Sequence, residues 1–285
     1  MLPDLITLLG FDMSENDTHI NKVESSILNS IQQLRKVAKE RGIDGMLTVN
    51  KHTTFEHRAI LRVNQEKIKQ QQNLESIVMR ANNFCDDVTC ENIDPDWLSA
   101  FMSMAKDISG LHMQTLWGQI FALELSHSGS FSVKSLRTLN QMTQREAQMF
   151  QVACNLSSQV GNDSNRKIVL NCQDNSKSFL LFNKPQFKSI NLGRHKLPYS
   201  SLLTLSDLGL IHHNELEMVN LPLDKELPII YGEEKLTMKV KNRSSRMKYY
   251  RFTNIGDELA KLIPHESKGE YFVELTNHLH NAFHF

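Results

Sequence analysis

Four acid–base candidates lie within the most apolar stretch of the chain, between Asp94 and Phe150. Their types suit acid–base chemistry, and they are Asp107, His112, Glu124 and His127. A carboxylate with a histidine can move a proton, but no nucleophile motif accompanies these residues. Their spacing does not bring them together, so the sequence favours roles at the surface and in helix caps. We therefore assign no catalytic residue and no cofactor.

Histidines and cysteines give only weak indications of a metal site. On a helix, His280 and His284 would share one face at metal-ligand spacing, but neither a carboxylate nor a cysteine accompanies them. The cysteines form no Cys-x-x-Cys pair, which favours reduced thiols in a cytoplasmic protein. They are Cys85, Cys90, Cys154 and Cys172. We predict no metal site.

Basic residues are concentrated near the C-terminal end. The chain has 32 Lys and Arg and 32 Asp and Glu, yet residues 235–251 contain seven cations and no acid, which leaves 25 cations elsewhere. The seven are Lys235, Lys239, Lys241, Arg243, Arg246, Lys248 and Arg251. Such a surface can bind the phosphates of DNA or RNA, and Tyr249 or Tyr250 could stack on an exposed base. The alternative is a solvated hairpin whose lysines block strand pairing.

Helices with clear start signals surround the acid–base candidates. Asp94 precedes Pro95 and is a good N-cap, because its carboxylate can accept the free N–H groups of the first turn. A helix that begins near Leu111 is apolar over much of its girth, which predicts burial on several sides. Ser132 can cap a further helix, and Thr143-x-x-Glu146 has the spacing of a capping box.

Two helices are expected before this stretch. Apolar residues at steps of three and four predict an amphipathic helix within Thr18–Val37. Residues Thr53–Asp87 contain neither Pro nor Gly and predict one long helix, whose middle is polar on nearly all sides. Such a helix either packs on the core or pairs with a second copy, so we expect that the chain could form a homo-oligomer through it.

The C-terminal part alternates between helix and strand signals. Residues 200–211 and 254–263 predict helices, and between them 236–241 and 246–252 predict two strands joined by a polar turn. A helix, a hairpin and a helix in this order resemble a winged-helix module. The predicted fold is therefore mainly α with a small β part, a helical bundle followed by a winged-helix-like α+β module.

Composition changes suggest three regions. These are residues 1–50 with an amphipathic helix and loop, 51–160 with the helical domain, and 161–285 with the winged-helix-like module and its basic hairpin. The first eleven residues are apolar, but they lack the basic start of a signal peptide and are too short to span a bilayer. We expect no transmembrane segment.

Several words of the sequence resemble a bacterial family of uncharacterised proteins that carry domain of unknown function 2806. Within residues 94–150 these words are D-x-D-W-L-x-x-F, M-Q-x-L-W-G-Q-I-x-A-x-E, G-S-F-S and Q-M-T-x-x-E-A. Gln72–Ile77, Leu208–Ile211 and Phe252–Leu259 are also similar, so the likeness covers roughly residues 70–263. The family supplies no catalytic residues. The G-S-F-S and E-A words are also similar to helical proteins linked to abortive phage infection.

Together these features favour a cytoplasmic, non-enzymatic interaction protein that binds DNA or RNA through a basic wing. The alternative is a phage-defence effector of the abortive-infection type. A third hypothesis is an enzyme of unrecognised type, for which Asp107, Glu124 and His127 are the candidate catalytic residues.

Overall fold

The chain folds as an α+β protein whose helices precede and flank one antiparallel sheet. The computed structural model describes residues 30–47, 54–85, 92–174, 189–219, 223, 226–265 and 269–285. Its helices are α1 (Ser30–Glu40), α2 (Phe55–Asn82), α3 (Pro95–Ala105), α4 (Leu111–Ser126), α5 (Val133–Gln141), α6 (Gln144–Asn155), α7 (Tyr199–Asp207), α8 (Asn254–Ala260) and α9 (Glu270–Leu279). Its strands are β1 (Ser158–Val160), β2 (Asp163–Asp174), β3 (Leu216–Met218), β4 (Glu226–Tyr231), β5 (Glu234–Val240), β6 (Ser245–Arg251) and β7 (Phe283–His284).

The helix starts follow the capping residues. Asp94 Oδ1 accepts hydrogen bonds from the backbone N–H of Asp96 and Trp97, at 2.7 and 3.1 Å. Ser132 caps α5, and Thr143 and Glu146 form a reciprocal capping box at the start of α6. These caps are confirmed because each depends on residues within one turn of one another.

Helices α2 and α4 pack with almost no space between their backbones. A Cβ on Gly118 of α4 would lie 2.9 Å from the backbone nitrogen of Ala81 in α2. A buried amide network links the same helices, because Gln114 Nε2 donates to Asn73 Oδ1 and Gln114 Oε1 accepts from Ser76 Oγ. Helix α4 is buried on several sides, as the sequence predicts.

The sheet contains seven strands in the order β3-β6-β2-β1-β4-β5-β7, and every neighbouring pair is antiparallel. The β part is therefore larger than predicted. Strand β5 pairs with β4 and β7, whereas β6 pairs with β2 and β3. The predicted hairpin between β5 and β6 is wrong, and the winged-helix-like arrangement that rested on it is not confirmed.

Strands β5 and β6 are consecutive in the chain but are not neighbours in the sheet, which requires the sheet to be strongly coiled. Three strands separate them in the sheet, yet only residues 241–244 connect them. Five residue steps span at most about 18 Å, and four strand spacings in a flat sheet already need about 19 Å. The backbone N–H of Lys241 and the Oγ of Ser245 both donate to the carbonyl oxygen of Ala282, which ties the start of β6 to the residue before β7. A bulge in β2 between Val169 and Asn171 accompanies this bending.

One buried apolar cluster runs from Ile77 in α2 to Phe283 in β7 and includes residues of both the helices and the sheet. The predicted boundary between residues 160 and 161 falls at the turn between β1 and β2. The division into three regions stays a prediction, and much of its first region lies outside the described residues. No helix within the described ranges is long and apolar enough to cross a membrane.

Candidate functional site

The acid–base candidates of the helical region lie at opposite ends of α4, with Asp107 and His112 near its start and Glu124 and His127 near its end. Asp107 precedes α4 and accepts a hydrogen bond from Gln70, whereas Glu124 lies in the last turns of α4. Leu111 and Glu124 are thirteen residue steps apart on the helix, which corresponds to about 20 Å. An enzyme site that combines Asp107 with Glu124 and His127 is therefore excluded by distance.

Glu124 has a structural partner instead. Its side chain is buried, and its two carboxylate oxygens accept the backbone N–H of Gly129 and Phe131 at 2.6 and 3.0 Å. Trp97 Nε1 donates to the carbonyl oxygen of Phe131 at 2.6 Å. These contacts fix the turn between α4 and α5, and the residues belong to the words that carry the family resemblance.

Sequence reasoning missed a second carboxylate at the same turn. Glu258 of α8 accepts hydrogen bonds from the backbone N–H of Ser132, at 2.7 Å, and from the hydroxyl of Ser135. It therefore stabilises the N-terminus of α5 from a distant part of the chain. No local pattern could reveal this contact, because 126 residues separate Ser132 from Glu258.

The seven predicted cations lie on β5, on β6 and in the connection 241–244. All except Arg251 are exposed, and they alternate with buried residues such as Met238 and Met247. Because β5 and β6 occupy different places in the sheet, the cations do not form one continuous ribbon. Lys239, Lys241, Arg243 and Arg246 follow closely around the connection, and we call these four residues the basic turn.

Carboxylates partly neutralise this surface. Lys239 Nζ lies 3.1 Å from Glu226 Oε1, and Arg246 Nη1 lies 3.4 Å from Glu217 Oε2. Lys241 Nζ donates to the carbonyl oxygen of His280. Three further cations have no carboxylate within ion-pair distance among the residues that the structure describes. They are Lys235, Arg243 and Lys248.

Arg251 belongs to a separate ion cluster between β2 and β6. Its Nε and Nη2 donate to both carboxylate oxygens of Asp163, at 2.9 and 3.1 Å. Lys167 Nζ lies 3.0 Å from Asp163 Oδ2, and its side chain is fully buried. The pKa of the Asp163 carboxyl is lowered, first by the hydrogen bonds from Arg251, and burial lowers the pKa of the Lys167 ammonium. This geometry orders the β1–β2 turn and engages the Nε and Nη2 of Arg251 with a carboxylate.

The two tyrosines cannot stack on a base as expected. Tyr249 and Tyr250 are only 8% and 6% exposed. Tyr249 contributes to the wall of a shallow groove of about 590 Å³, next to Arg251. The other residues that line this groove are His212, His213, Asn214 and Leu216. Base stacking needs an exposed ring face, so any nucleic-acid contact here would rely on charge.

The histidines whose spacing suggested a metal site do not come together in the structure. Helix α9 ends at Leu279, so His280 and His284 do not share a helix face, and His284 instead pairs with Lys239 across β7 and β5. Within the described ranges, no group of three or more metal-ligating side chains comes together. Burial raises the pKa of the Cys154 thiol well above its ordinary value, which makes a reactive thiolate there unfavourable.

Two other segments that carry the family resemblance, Leu208–Ile211 and Phe252–Leu259, pack against each other. The backbone N–H of Thr253 donates to the carbonyl oxygen of Leu210 at 3.0 Å, and the Thr253 hydroxyl donates to the carbonyl oxygen of Gly209. The space beside the Cα of Gly256 is filled by Leu210, because an added Cβ would lie 2.0 Å from its carbonyl oxygen. These two segments therefore have a structural role, because their contacts join α7 to α8.

A comparison with protein families identifies one match. The family described as Protein of unknown function (DUF2806) matches residues 57–276, which are 220 of the 285 residues. No curated protein and no solved structure matches the chain. The similarity to abortive-infection proteins and the cytoplasmic location therefore stay predictions.

Proposed function

This chain belongs to the DUF2806 family, whose function is unknown, and we propose that it is a non-enzymatic interaction protein that binds nucleic acid. The proposed surface consists of the basic turn, with Lys235 at the far end of β5 and Lys248 along β6. The observation that carries the proposal is that Lys235, Arg243 and Lys248 are exposed and have no carboxylate partner among the described residues.

The existing ion pairs do not prevent phosphate binding. Both partners of the Lys239–Glu226 pair are more than half exposed, and ion pairs of this kind contribute only about 0–1 kcal/mol. A phosphate can therefore recruit Lys239 and Arg246 at a small cost. Arg251 is excluded, since its bidentate contact with Asp163 also serves the buried Lys167.

The geometry supports backbone recognition over base recognition. The cations extend from an irregular turn and from strand surfaces, and the nearby rings of Tyr249 and Tyr250 are buried. Lys and Arg contacts to phosphates position a nucleic acid but carry no direct sequence information. We therefore expect binding that depends weakly on sequence and strongly on salt.

Fluorescence anisotropy with labelled single-stranded DNA, duplex DNA and single-stranded RNA tests the proposal. The variant Arg243→Gln/Arg246→Gln/Lys248→Gln removes three cations of the surface. Its matched control is Lys134→Gln/Arg137→Gln/Arg145→Gln, because those three cations are exposed on α5 and α6 and the variant has the same net charge.

Each lost phosphate contact should reduce the slope of log K against log salt by about 0.9 for duplex DNA and about 0.7 for single strands. We expect the slope for the first variant to fall by roughly two to three times that amount, while the control keeps the wild-type slope. Equal losses in both variants would assign binding to overall charge, and an unmeasurable wild-type affinity at low salt would refute the proposed function.

A further inference from the structure

The N-terminal half of helix α2 buries no side chain, although residues 42–45 approach it at Arg58 and Arg62. The 28 residues of the helix correspond to about 42 Å, but its buried residues all lie in the C-terminal half, at Asn73, Ile77 and Ala81. No residue between positions 55 and 69 is buried, although several are large and apolar. Among them, Ile60 is 60% and Ile68 is 59% exposed. Several exposed apolar side chains on one half of a helix mark a candidate interaction surface.

The exposed residues form a regular seam along α2. Steps of four and three alternate without interruption over three heptads, which is the spacing of a two-stranded coiled coil. The seam residues, all exposed, are His57, Leu61, Asn64, Ile68, Gln71, Glu75 and Val78, of which Leu61, Ile68 and Val78 are apolar and the other four are polar. Ile68 and Ile77 are nine residues apart and therefore about 180° apart around the helix. The seam thus faces away from the surface that packs on α4.

The two halves of the seam complement each other. Beside its C-terminal half lies a groove of about 480 Å³ between α2 and α3. The residues that line it are Gln71, Leu74, Glu75, Val78, Met79 and Met102. At its N-terminal half, Ile60 and Leu61 project as exposed apolar side chains. One half therefore offers apolar side chains and the other an apolar recess.

We infer that α2 joins two copies of this chain into an antiparallel homodimer, which goes beyond the proposed nucleic-acid function. Pairing position i with position 139 − i places Leu61 against the partner's Val78, Ile68 against the partner's Gln71, and Asn64 against the partner's Glu75. Ile60 and Leu61 of each copy then enter the groove of the other. The contact is isologous, as a two-fold dimer requires.

The charges of the seam favour this orientation. A parallel pair would place Glu75 directly against the partner's Glu75 and would leave both grooves unfilled. In the antiparallel pair, Glu75 instead faces the amide of the partner's Asn64, which can donate a hydrogen bond to a carboxylate. Polar residues within a coiled-coil seam are known to specify register and orientation.

Sedimentation equilibrium of the full chain over a range of concentrations tests the dimer. We expect a mass of twice 32.8 kDa for the wild type. The variant Leu61→Glu/Ile68→Glu should be monomeric, with a dissociation constant raised by roughly 100-fold or more, because each charge enters the interface twice. Val273→Glu is the control, since Val273 is 60% exposed, close to the 59% of Ile68, but lies on α9.

Both substituted side chains are exposed in the monomer, so circular dichroism and the urea midpoint should stay unchanged apart from the dimer contribution. A wild-type monomer at every concentration would overturn the inference. A dimer that survives Leu61→Glu/Ile68→Glu, or one that the control also abolishes, would equally overturn it.

Disulfide trapping tests the orientation, in a background with Cys85 and Cys90 replaced by serine. The double variant Leu61→Cys/Val78→Cys should form a covalent dimer on oxidation, whereas Leu61→Cys alone should not. The two positions are about 26 Å apart on one helix, so they cannot pair within a chain. Efficient trapping by Leu61→Cys alone would indicate a parallel pair and refute the antiparallel arrangement.

Discussion

The substitution Asp163→Asn should destabilise the protein by disrupting the ion cluster between β2 and β6. Asp163 is the only carboxylate within ion-pair distance of both Lys167 and Arg251 among the residues that the structure describes. Asparagine is isosteric, so the change removes charge without leaving a cavity. The consequence is that the fully buried Lys167 loses its counter-ion.

The magnitude follows from the environment of Lys167. Removal of one partner of a buried ion pair usually costs about 3–5 kcal/mol. Two features reduce this value here. Lys167 Nζ keeps the carbonyl oxygens of Asp163 and Asn165, at 3.3 and 2.9 Å, and the Asp163 side chain is itself 37% exposed to screening solvent. We therefore expect a loss of about 2–3 kcal/mol in the free energy of unfolding.

Urea unfolding at neutral pH, followed by the fluorescence of the buried Trp97 and Trp117, measures this loss. The variant Lys167→Met completes a double-mutant cycle, because it removes the buried charge that Asp163 neutralises. With Lys167→Met present, Asp163→Asn should cost at least about 1 kcal/mol less than it does alone. A single-variant loss below about 0.5 kcal/mol, or strict additivity, would refute the reasoning.

The pH dependence gives an independent check. Because the folded pKa of Asp163 is lowered, its charge contributes stability above the ordinary pKa near 3.8. That contribution is lost as the pH falls through the folded pKa. The difference between wild type and Asp163→Asn should therefore be constant at neutral pH and shrink below about pH 4, when unfolding is measured as a function of pH.

Three further substitutions test the packing of the fold by urea unfolding. Gly256→Ala should cost about 3 kcal/mol or more, because its Cβ would collide with the backbone carbonyl of Leu210; a wild-type midpoint would contradict that close approach. Gly118→Ala should cost about 1–3 kcal/mol, because its Cβ would lie 2.9 Å from the backbone nitrogen of Ala81; an unchanged midpoint would show that α2 and α4 can separate without cost. Glu124→Gln should cost about 2 kcal/mol, because an amide can accept only one of the two backbone N–H groups that the carboxylate binds; equal stability would show that solvent replaces the lost bond.

The helical half of the fold was accessible from the sequence because its signals are local. The cap at Asp94 and the capping box of Thr143 and Glu146 need only residues within a single turn, and the structure confirms them. The long helix was also expected, with ends that differ by only a few residues from Phe55 and Asn82. Periodicity alone identified its polar middle but not which residues would remain exposed.

The sheet was not accessible because strand pairing is not local. Residues 236–241 and 246–252 have the alternation of strands and a short polar turn between them, which ordinarily predicts a hairpin. The structure confirms both strands but pairs β6 with β2, whose residues lie about 80 positions earlier. Nothing in the local pattern distinguishes a tight hairpin from a four-residue crossing of a coiled sheet. For the same reason, Glu217 and Glu226 could not be identified as partners of the cations.

The corrected topology changes how the concentration of cations should be explained. Lysines on an exposed strand edge can prevent unwanted strand pairing. This explanation suits Lys235, because β7 pairs only with Lys239 and Val240 and leaves the rest of β5 without a second partner among the described residues. It does not suit Lys248, since that residue pairs with Asn171 of β2 on one side and with Glu217 of β3 on the other. Outward positions of an interior strand need to be polar, but solvation alone does not require one sign of charge. Edge protection therefore accounts for Lys235 but not for Lys248, for which we propose an anionic ligand, and the salt dependence of binding tests that proposal.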